Sequence, residues 1–242
     1  MSLVNRRSTF FLFSGILLFL SLGSILFFGL KPSIDFTGGT RLQIQFSESV
    51  TTEETMVLFQ ETVGEEKRGK AMGVLEKNDI LITSKTLSKE EQTQLEKAFV
   101  VQGKGGEIVQ INTIGASVGN VFRKNAFISI ALAVLAIILF VAYAFRSVPS
   151  GLSSWKFGLA AIGALAHDIL IIVGFFAFLG FYRGTEVDTL FITALLTILG
   201  FSVNDTIVIF DRIRENLKGQ KDAHRFPEIT EKSLLQSFRR SI

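Results

Sequence analysis

"TLFITALLTILGFSVNDTIVIF", Thr189 to Phe210, runs for 22 residues with a single charged side chain, Asp205. As a helix rising about 1.5 Å per residue, this stretch is long enough to cross a hydrocarbon core about 30 Å thick. Ser8 to Gly29, Ala126 to Phe145 and Phe157 to Phe181 are apolar runs of similar length. Four transmembrane helices are therefore predicted. With 48% hydrophobic and 19% charged residues, 24 Phe and a mean hydropathy of +0.42, the 242-residue chain is not composed like a soluble domain.

The first run follows Asn5-Arg6-Arg7 in the manner of a signal peptide, but its apolar part exceeds the roughly 7–15 residues of such a core, and no A-x-A site follows. An uncleaved signal anchor is expected. Orientation is read from Lys and Arg in the short polar segments, because long domains translocate largely regardless of charge. Arg6, Arg7, Arg146, Lys156 and the basic tail from Arg212 to Arg240 fall on one side, which the rule makes cytoplasmic. Residues 1–7 and 211–242 are thus both expected in the cytoplasm. Arg183, Glu186 and Asp188 fall on the other side, as do Arg123 and Lys124, which run against the trend. The net charge of +3 follows from this topology and gives no argument for nucleic acid, since no aromatics interleave with the basic tail. With no cysteine, disulfides, thiol nucleophiles and cysteine metal sites are excluded.

Between the first two spans, residues 30–120 have the composition of an aqueous domain long enough to fold by itself. Arg41 to Phe46 alternates as a half-buried strand does. Thr52 to Val63 opens on a helix-start signal and sets Met56, Phe59 and Val63 on one face. Ala71 to Thr83 holds two short β-prone pieces around Lys77-Asn78-Asp79. Ser88 to Glu91 is a capping box for a second helix with Leu95 and Phe99 as core contacts, and Glu107 to Ile114 is a last strand. The expected order is β-α-β-α-β, a small α+β domain of ferredoxin-like, split βαβ character. Its scattered charges carry no catalytic pattern. "IDFTGGT", Ile34 to Thr40, stands out because Gly38-Gly39 permits a sharp turn where the chain leaves the first span. A tight connector and a functional hinge both fit, and a phosphate loop does not, for want of a preceding strand and a following helix.

Two predicted spans carry polar groups. His167 and Asp168 lie about eleven residues from Lys156, near mid-membrane, and Asn204 and Asp205 lie about 9 Å short of Asp211. A charged Asp at the centre of a span costs on the order of 2.5–3.5 kcal/mol, so each should face protein or a wet cavity rather than lipid. Thr189, Thr193, Thr197, Gly200, Asn204 and Asp211 recur at helical spacing, and Asp205 lies at the edge of that stripe. Ala160, Gly163, Ala164 and His167 make a small-residue face on the third span, with Asp168 beside it. A packed bundle with a polar seam is expected. The seam fits either interhelical hydrogen-bonding that fixes packing or a proton relay, in which a desolvated carboxyl alternates between neutral and charged forms.

In order and over essentially the whole chain, four features resemble the SecF family, membrane subunits of the bacterial SecD/SecF protein-export complexes and relatives of the RND transporters. They are IDFTGGT after the first span, the small outside domain, AHDIL (166–170) in the third span, and GFSVNDTIVIFDRIREN (200–216) closing the fourth. The VND followed by FDRIREN, and the shorter domain, separate the chain from the paralogous SecD family. The resemblance implies a non-enzymatic protein of the bacterial inner membrane that helps the Sec channel finish export and needs no cofactor beyond the proton gradient. It implies SecD, the SecYEG channel, YajC and unfolded preprotein as partners, within membrane lipid. By the same resemblance Asp205 matches the proton-linked aspartate of the fourth span, and Arg240 matches an arginine near the start of a fifth. Asn204 and Asp168 join them as candidates for the proton pathway. Asp35, Phe36, Thr37, Gly38, Gly39 and Thr40 match the first family motif, and Asp211, Arg212, Arg214 and Glu215 the cytoplasmic helix end.

The family has six spans, so the resemblance implies two further helices after Ile242. Three other functions fit the apolar runs less well. An RND-type exporter of small molecules or lipids calls for a larger outside apparatus, and an intramembrane aspartyl protease calls for GxGD where this chain has GFSVND. A membrane scaffold would use the same aspartates for packing only.

Overall fold

The computed structural model describes residues 3–238 apart from 68, 75–77, 102–104, 145–153 and 218–224, with main chain only at 73, 74 and 154–157. In chain order the elements are α1 (Arg7–Phe28), α2 (Ile34–Thr37), β1 (Gly39–Gln45), α3 (Thr52–Val63), β2 (Lys70–Val74), β3 (Asp79–Ser84), α4 (Lys89–Val101), β4 (Glu107–Ile114), α5 (Ala116–Ala144), α6 (Ser154–Arg183), α7 (Thr189–Leu217) and α8 (Phe226–Phe238). They form two compact units. One comprises Lys31–Phe127 with Glu186–Thr189, and the other comprises Met1–Leu30, Ile128–Thr185 and Leu190–Ile242.

In the smaller unit the period-two pattern of β1 drives Leu42, Ile44 and Phe46 into a core shared with Ile80 and Ile82 of β3, Phe59 of α3, and Leu95 and Phe99 of α4. Each such side chain contributes about 1.5–3 kcal/mol by leaving water. Both helices start where the sequence signals them. Glu54 N–H donates to Thr51 Oγ1 (3.2 Å) and Thr51 N–H to Glu54 Oε2 (3.3 Å), and Ser88 and Glu91 repeat the exchange at 3.3 and 2.7 Å. The two β-prone pieces of 71–83 are separate strands, β2 and β3, so the order is β-α-β-β-α-β rather than β-α-β-α-β. The four strands pair antiparallel in the order β2-β3-β1-β4, with a register shift between Gln43 and Ile44 against β4. This is the split βαβ arrangement, with β3 inserted between β1 and β2.

Among the described residues, four helices are long and apolar enough to cross a membrane. Two of them outrun their apolar sequences by more than a turn: α5 starts at Ala116, ahead of the run at 126–145, and α7 continues to Leu217, past Phe210. Helix continuity needs backbone hydrogen bonds, not apolar side chains, so hydropathy understates both lengths. In the larger unit α1 packs along α6 in a repeating register. Ser14 meets His167, Ser21 meets Gly174, and Phe28 stacks on Phe181 with ring centroids 4.2 Å apart. Each step is seven residues on both helices and in the same direction, the spacing that keeps one seam facing a parallel partner. Gly174 makes the close approach possible, since a Cβ there would lie 2.3 Å from Ser21 Cβ. A second cluster, formed by Val141, Ala161, Ile213, Leu217 and Ile229, joins α5, α6, α7 and α8.

Candidate functional site

The polar seam is built from three helices. From α6, the His167 imidazole Nδ1 lies 2.9 Å from Asp168 Oδ1, and its Nε2 meets the Ser14 hydroxyl of α1. From α7, the Ser202 hydroxyl donates to the second Asp168 oxygen, Oδ2, at 2.5 Å. Asp168 is thus hydrogen-bonded at both oxygens, the condition for holding a carboxylate in an apolar bundle. Phe176 and Phe191, with centroids 4.3 Å apart, are a second contact between α6 and α7.

Asn204 and Asp205 are placed differently. The face of α7 that packs is apolar, with Phe191, Leu195 and Leu199 buried, while Thr193, Thr197, Gly200, Asn204 and Asp205 are exposed. Neither the Asn204 nor the Asp205 side chain forms a hydrogen bond or ion pair with another described residue, and nothing lies within 4 Å of a Cβ built on Gly200. The two predicted aspartates are therefore not brought together: Asp168 sits inside the three-helix network, and Asp205 lies on the uncovered stripe of α7. The expectation that Asp205 faces protein is not met by any described residue of this chain. Arg240 lies outside the described residues.

The first motif is tightly held within the smaller unit. Ser33 caps the one-turn helix α2, Asp35 N–H donating to its hydroxyl at 3.2 Å, and the chain then turns through Gly38 (φ 73°) and Gly39 (φ 141°). A Cβ on Gly38 would lie 2.8 Å from Ala116 Cα, and one on Gly39 would lie 2.5 Å from the Ser84 carbonyl oxygen, so both glycines are demanded by packing as well as by φ. Phe36 is buried, and fully buried Thr40 accepts from Leu87 N–H at 3.0 Å. The Thr37 hydroxyl donates to Ser33 O. Asp35 does something the sequence did not announce. Its Oδ2 accepts from both the backbone N–H (3.0 Å) and the hydroxyl (2.9 Å) of Thr189, the first residue of α7. A carboxylate at a helix start satisfies an orphan donor and meets the positive end of the helix dipole. The grip is doubled by a parallel bridge between Pro32 and Val187, with Ser33 N–H donating to Val187 O (2.8 Å) and Val187 N–H to Lys31 O (2.7 Å). An Arg41–Glu186 ion pair adds to it.

At the far end of α7, Asp211 pairs with Arg214 (2.8 Å) and Arg212 with Glu215 (2.6 Å), each one helical turn apart. Arg214 also donates to the Ala144 carbonyl at 3.3 Å, placing a cation at the last turn of α5. Asn216 donates to Ser233 and Gln236 of α8.

Residues 94–242 match the model of the family described as "Protein export membrane protein SecD/SecF, C-terminal", and residues 23–50 match the SecD/SecF GG motif. The chain belongs to the SecD/SecF protein-export membrane protein family. It is 36% identical to the protein translocase subunit SecF of Thermobaculum terrenum over 99% of this chain and 77% of that protein. It is 32% identical to the protein translocase subunit SecDF of Bacillus subtilis, covering 98% of this chain and 31% of that one. The crystal structure of SecDF from Thermus thermophilus matches with a TM-score of 0.81 and 30% identity, again over 99% of this chain and 31% of that protein. The chain thus spans about three quarters of its SecF relative and under a third of the SecDF chains. The matched residues 23–50 include the adjacent pair Gly38-Gly39, whose close contacts are described above.

Proposed function

We propose that this chain acts as the SecF-type auxiliary subunit of a Sec protein translocase, working with SecD and driven by the proton gradient rather than by a bound cofactor. In this reading it lies in the bacterial inner membrane with residues 1–7 and 211–242 cytoplasmic, and the α+β domain on the outer side handles unfolded preprotein emerging from SecYEG, with YajC as an accessory partner. The observation that supports it best is the grip of Asp35 on Thr189. Asp35, within the residues that match the family's GG motif, holds Thr189, the first residue of the helix that carries Asp205, and a change in charge at Asp205 is read as acting on the preprotein-facing domain through that helix. Such coupling needs the two protonation states of Asp205 to favour different bundle conformations. The resemblance pairs Asp205 with an arginine, and the exposed stripe of α7 leaves Asp205 accessible to such a partner.

The test uses the full-length protein with SecD and the channel in inverted vesicles, comparing late-stage export with and without a proton gradient. Asp205→Asn is expected to insert and assemble normally while losing the gradient-dependent component. Retention of full gradient dependence by that variant overturns the proton role. Loss of assembly with SecD in the unaltered protein overturns the subunit assignment.

A further inference from the structure

Gly119 lies inside α5, where glycine is a poorer helix former than alanine, so its place there calls for a contact that alanine could not make. Every residue from 115 to 125 is exposed except Gly119, which is buried. What covers it is main chain. A Cβ on Gly119 would lie 2.8 Å from Gly38 N and 3.3 Å from both the C and the O of Phe36. The contact is reciprocal, since a Cβ on Gly38 would lie 2.8 Å from Ala116 Cα and 2.9 Å from Ala116 N. Ala116 and Gly119 are three residues apart and so share one face of α5. No rotamer change relieves either approach, because every opposing atom is backbone. Asp35, three residues before Gly38, accepts from Thr189 at the start of α7. The segment between the two contacts is braced from inside: Gly38 N–H donates to Ile34 O (2.9 Å), Thr37 N–H donates to Ser33 O (3.2 Å), and Ile34 and Phe36 are buried. Asp35, Gly38, Ala116, Gly119 and Thr189 all belong to the smaller unit.

We propose that Gly119 is a positioning residue that seats α5 on the Gly38-Gly39 turn, so that the one-turn helix α2 ties the first turns of α5 and α7 into a single node. The tie is in series: α5 rests on Gly38, α2 leads back to Asp35, and Asp35 caps α7. A displacement at one end is therefore felt at the other. Atoms in ordinary contact sit about 3.5–4.0 Å apart, so a Cβ at 2.8 Å forces a shift of about 0.7 Å or more. Passed through α2, a shift of that size takes the Asp35–Thr189 bonds, now 2.9 and 3.0 Å, out of the range of about 2.7–3.2 Å in which such bonds are strong. What the node does in export rests on the function proposed above, where it makes α5 move with α7, the helix that carries Asp205; the node itself does not rest on that reading.

The experiment is amide hydrogen exchange of the full-length protein in lipid nanodiscs, resolved to the first turns of α5 and α7. Gly119→Ala is made in α5 and read in α7: exchange at Thr189 is expected to quicken by about fivefold or more, the population change that overpacking brings. Gly115→Ala is the control, because a Cβ there would meet nothing nearer than Ser117 Oγ at 3.9 Å, and it is expected to leave Thr189 unchanged. Asp35→Ala adds no bulk and is read in the opposite direction, with exchange of the Gly119 N–H, which donates to Gly115 O at 3.0 Å, expected to quicken several-fold. Unchanged exchange at Thr189 in Gly119→Ala overturns the proposal, as does equal quickening by Gly115→Ala, and so does an undisturbed Gly119 N–H in Asp35→Ala. Neither reading depends on export, so retention of gradient dependence by Asp205→Asn would overturn the proton role and leave the node standing.

Discussion

Gly174→Ala tests the α1–α6 seam at its tightest point. The added Cβ would stand 2.3 Å from Ser21 Cβ, 2.4 Å from Ser21 Cα and 2.8 Å from Ser21 O. Carbon atoms in favourable contact sit about 3.5–4.0 Å apart, so the helices must separate by roughly 1.2 Å or more. No rotamer change relieves this, because two of the three opposing atoms are main chain. Overpacking of this kind costs about 1–3 kcal/mol, against which alanine recovers up to about 1 kcal/mol of helix propensity over glycine. The net expectation is a loss of up to about 2 kcal/mol, and of about 1–3 kcal/mol relative to an alanine placed where the helix is not overpacked, measured by reversible unfolding in detergent micelles. Gly163→Ala, on the same helix with nothing within 4 Å, is the control and should be neutral or slightly stabilising. Ser21→Gly combined with Gly174→Ala should recover only part of the loss, since it removes Cβ but not Cα or O. Equal stability of Gly174→Ala and Gly163→Ala would refute the seam.

Asp35→Ala should cost about 0.5–2 kcal/mol, the usual worth of a helix cap, and appear as faster amide exchange in the first turn of α7; Asp35→Asn, which can still accept, should keep most of the protection. In the α+β domain, the Lys67 ammonium (2.5 and 2.6 Å), followed by the Ser88 backbone N–H, holds the Glu91 carboxyl below its ordinary range. That contribution to stability is fully present above about pH 4.3, the unperturbed glutamate value, and is lost as pH falls through the lower folded-state value. Acid titration of stability should show this loss in the unaltered protein and a flatter profile in Glu91→Gln.

The spans were legible because length and apolarity are properties of one segment, and the helices of the small domain because Thr51, Glu54, Ser88 and Glu91 are local signals. The β2–β3 hairpin is half legible: two β-prone pieces are evident, but the place of β3 in the sheet is set by its pairing with β1, far away in sequence. Ser14 and Ser202 were missed for a related reason. A single hydroxyl in an apolar run is unremarkable until its partner helix is known, although Ser14, Ser21 and Phe28 already show the seven-residue spacing that His167, Gly174 and Phe181 repeat. Likewise a helix start is ordinarily read from the residue just before it. The cap found here comes from Asp35, 154 residues from Thr189. The stripe on α7 is small and polar in the sequence and exposed in the structure, but which neighbour covers a stripe is not written in the stripe.

The parallel α1–α6 seam also constrains how the protein is made. Ser14 and His167 are 153 residues apart, so at about 5–20 residues per second α1 exists for roughly 8–30 s before its partner has been synthesised. During that interval Ser14 and Ser21 have no seam to enter. Serine can return its hydroxyl to its own helix backbone, which lets a lone span persist in lipid without an unsatisfied donor. A residue with a larger polar head at position 14 would lack that refuge, so the modest hydroxyl suits a helix that must wait as well as one that has docked.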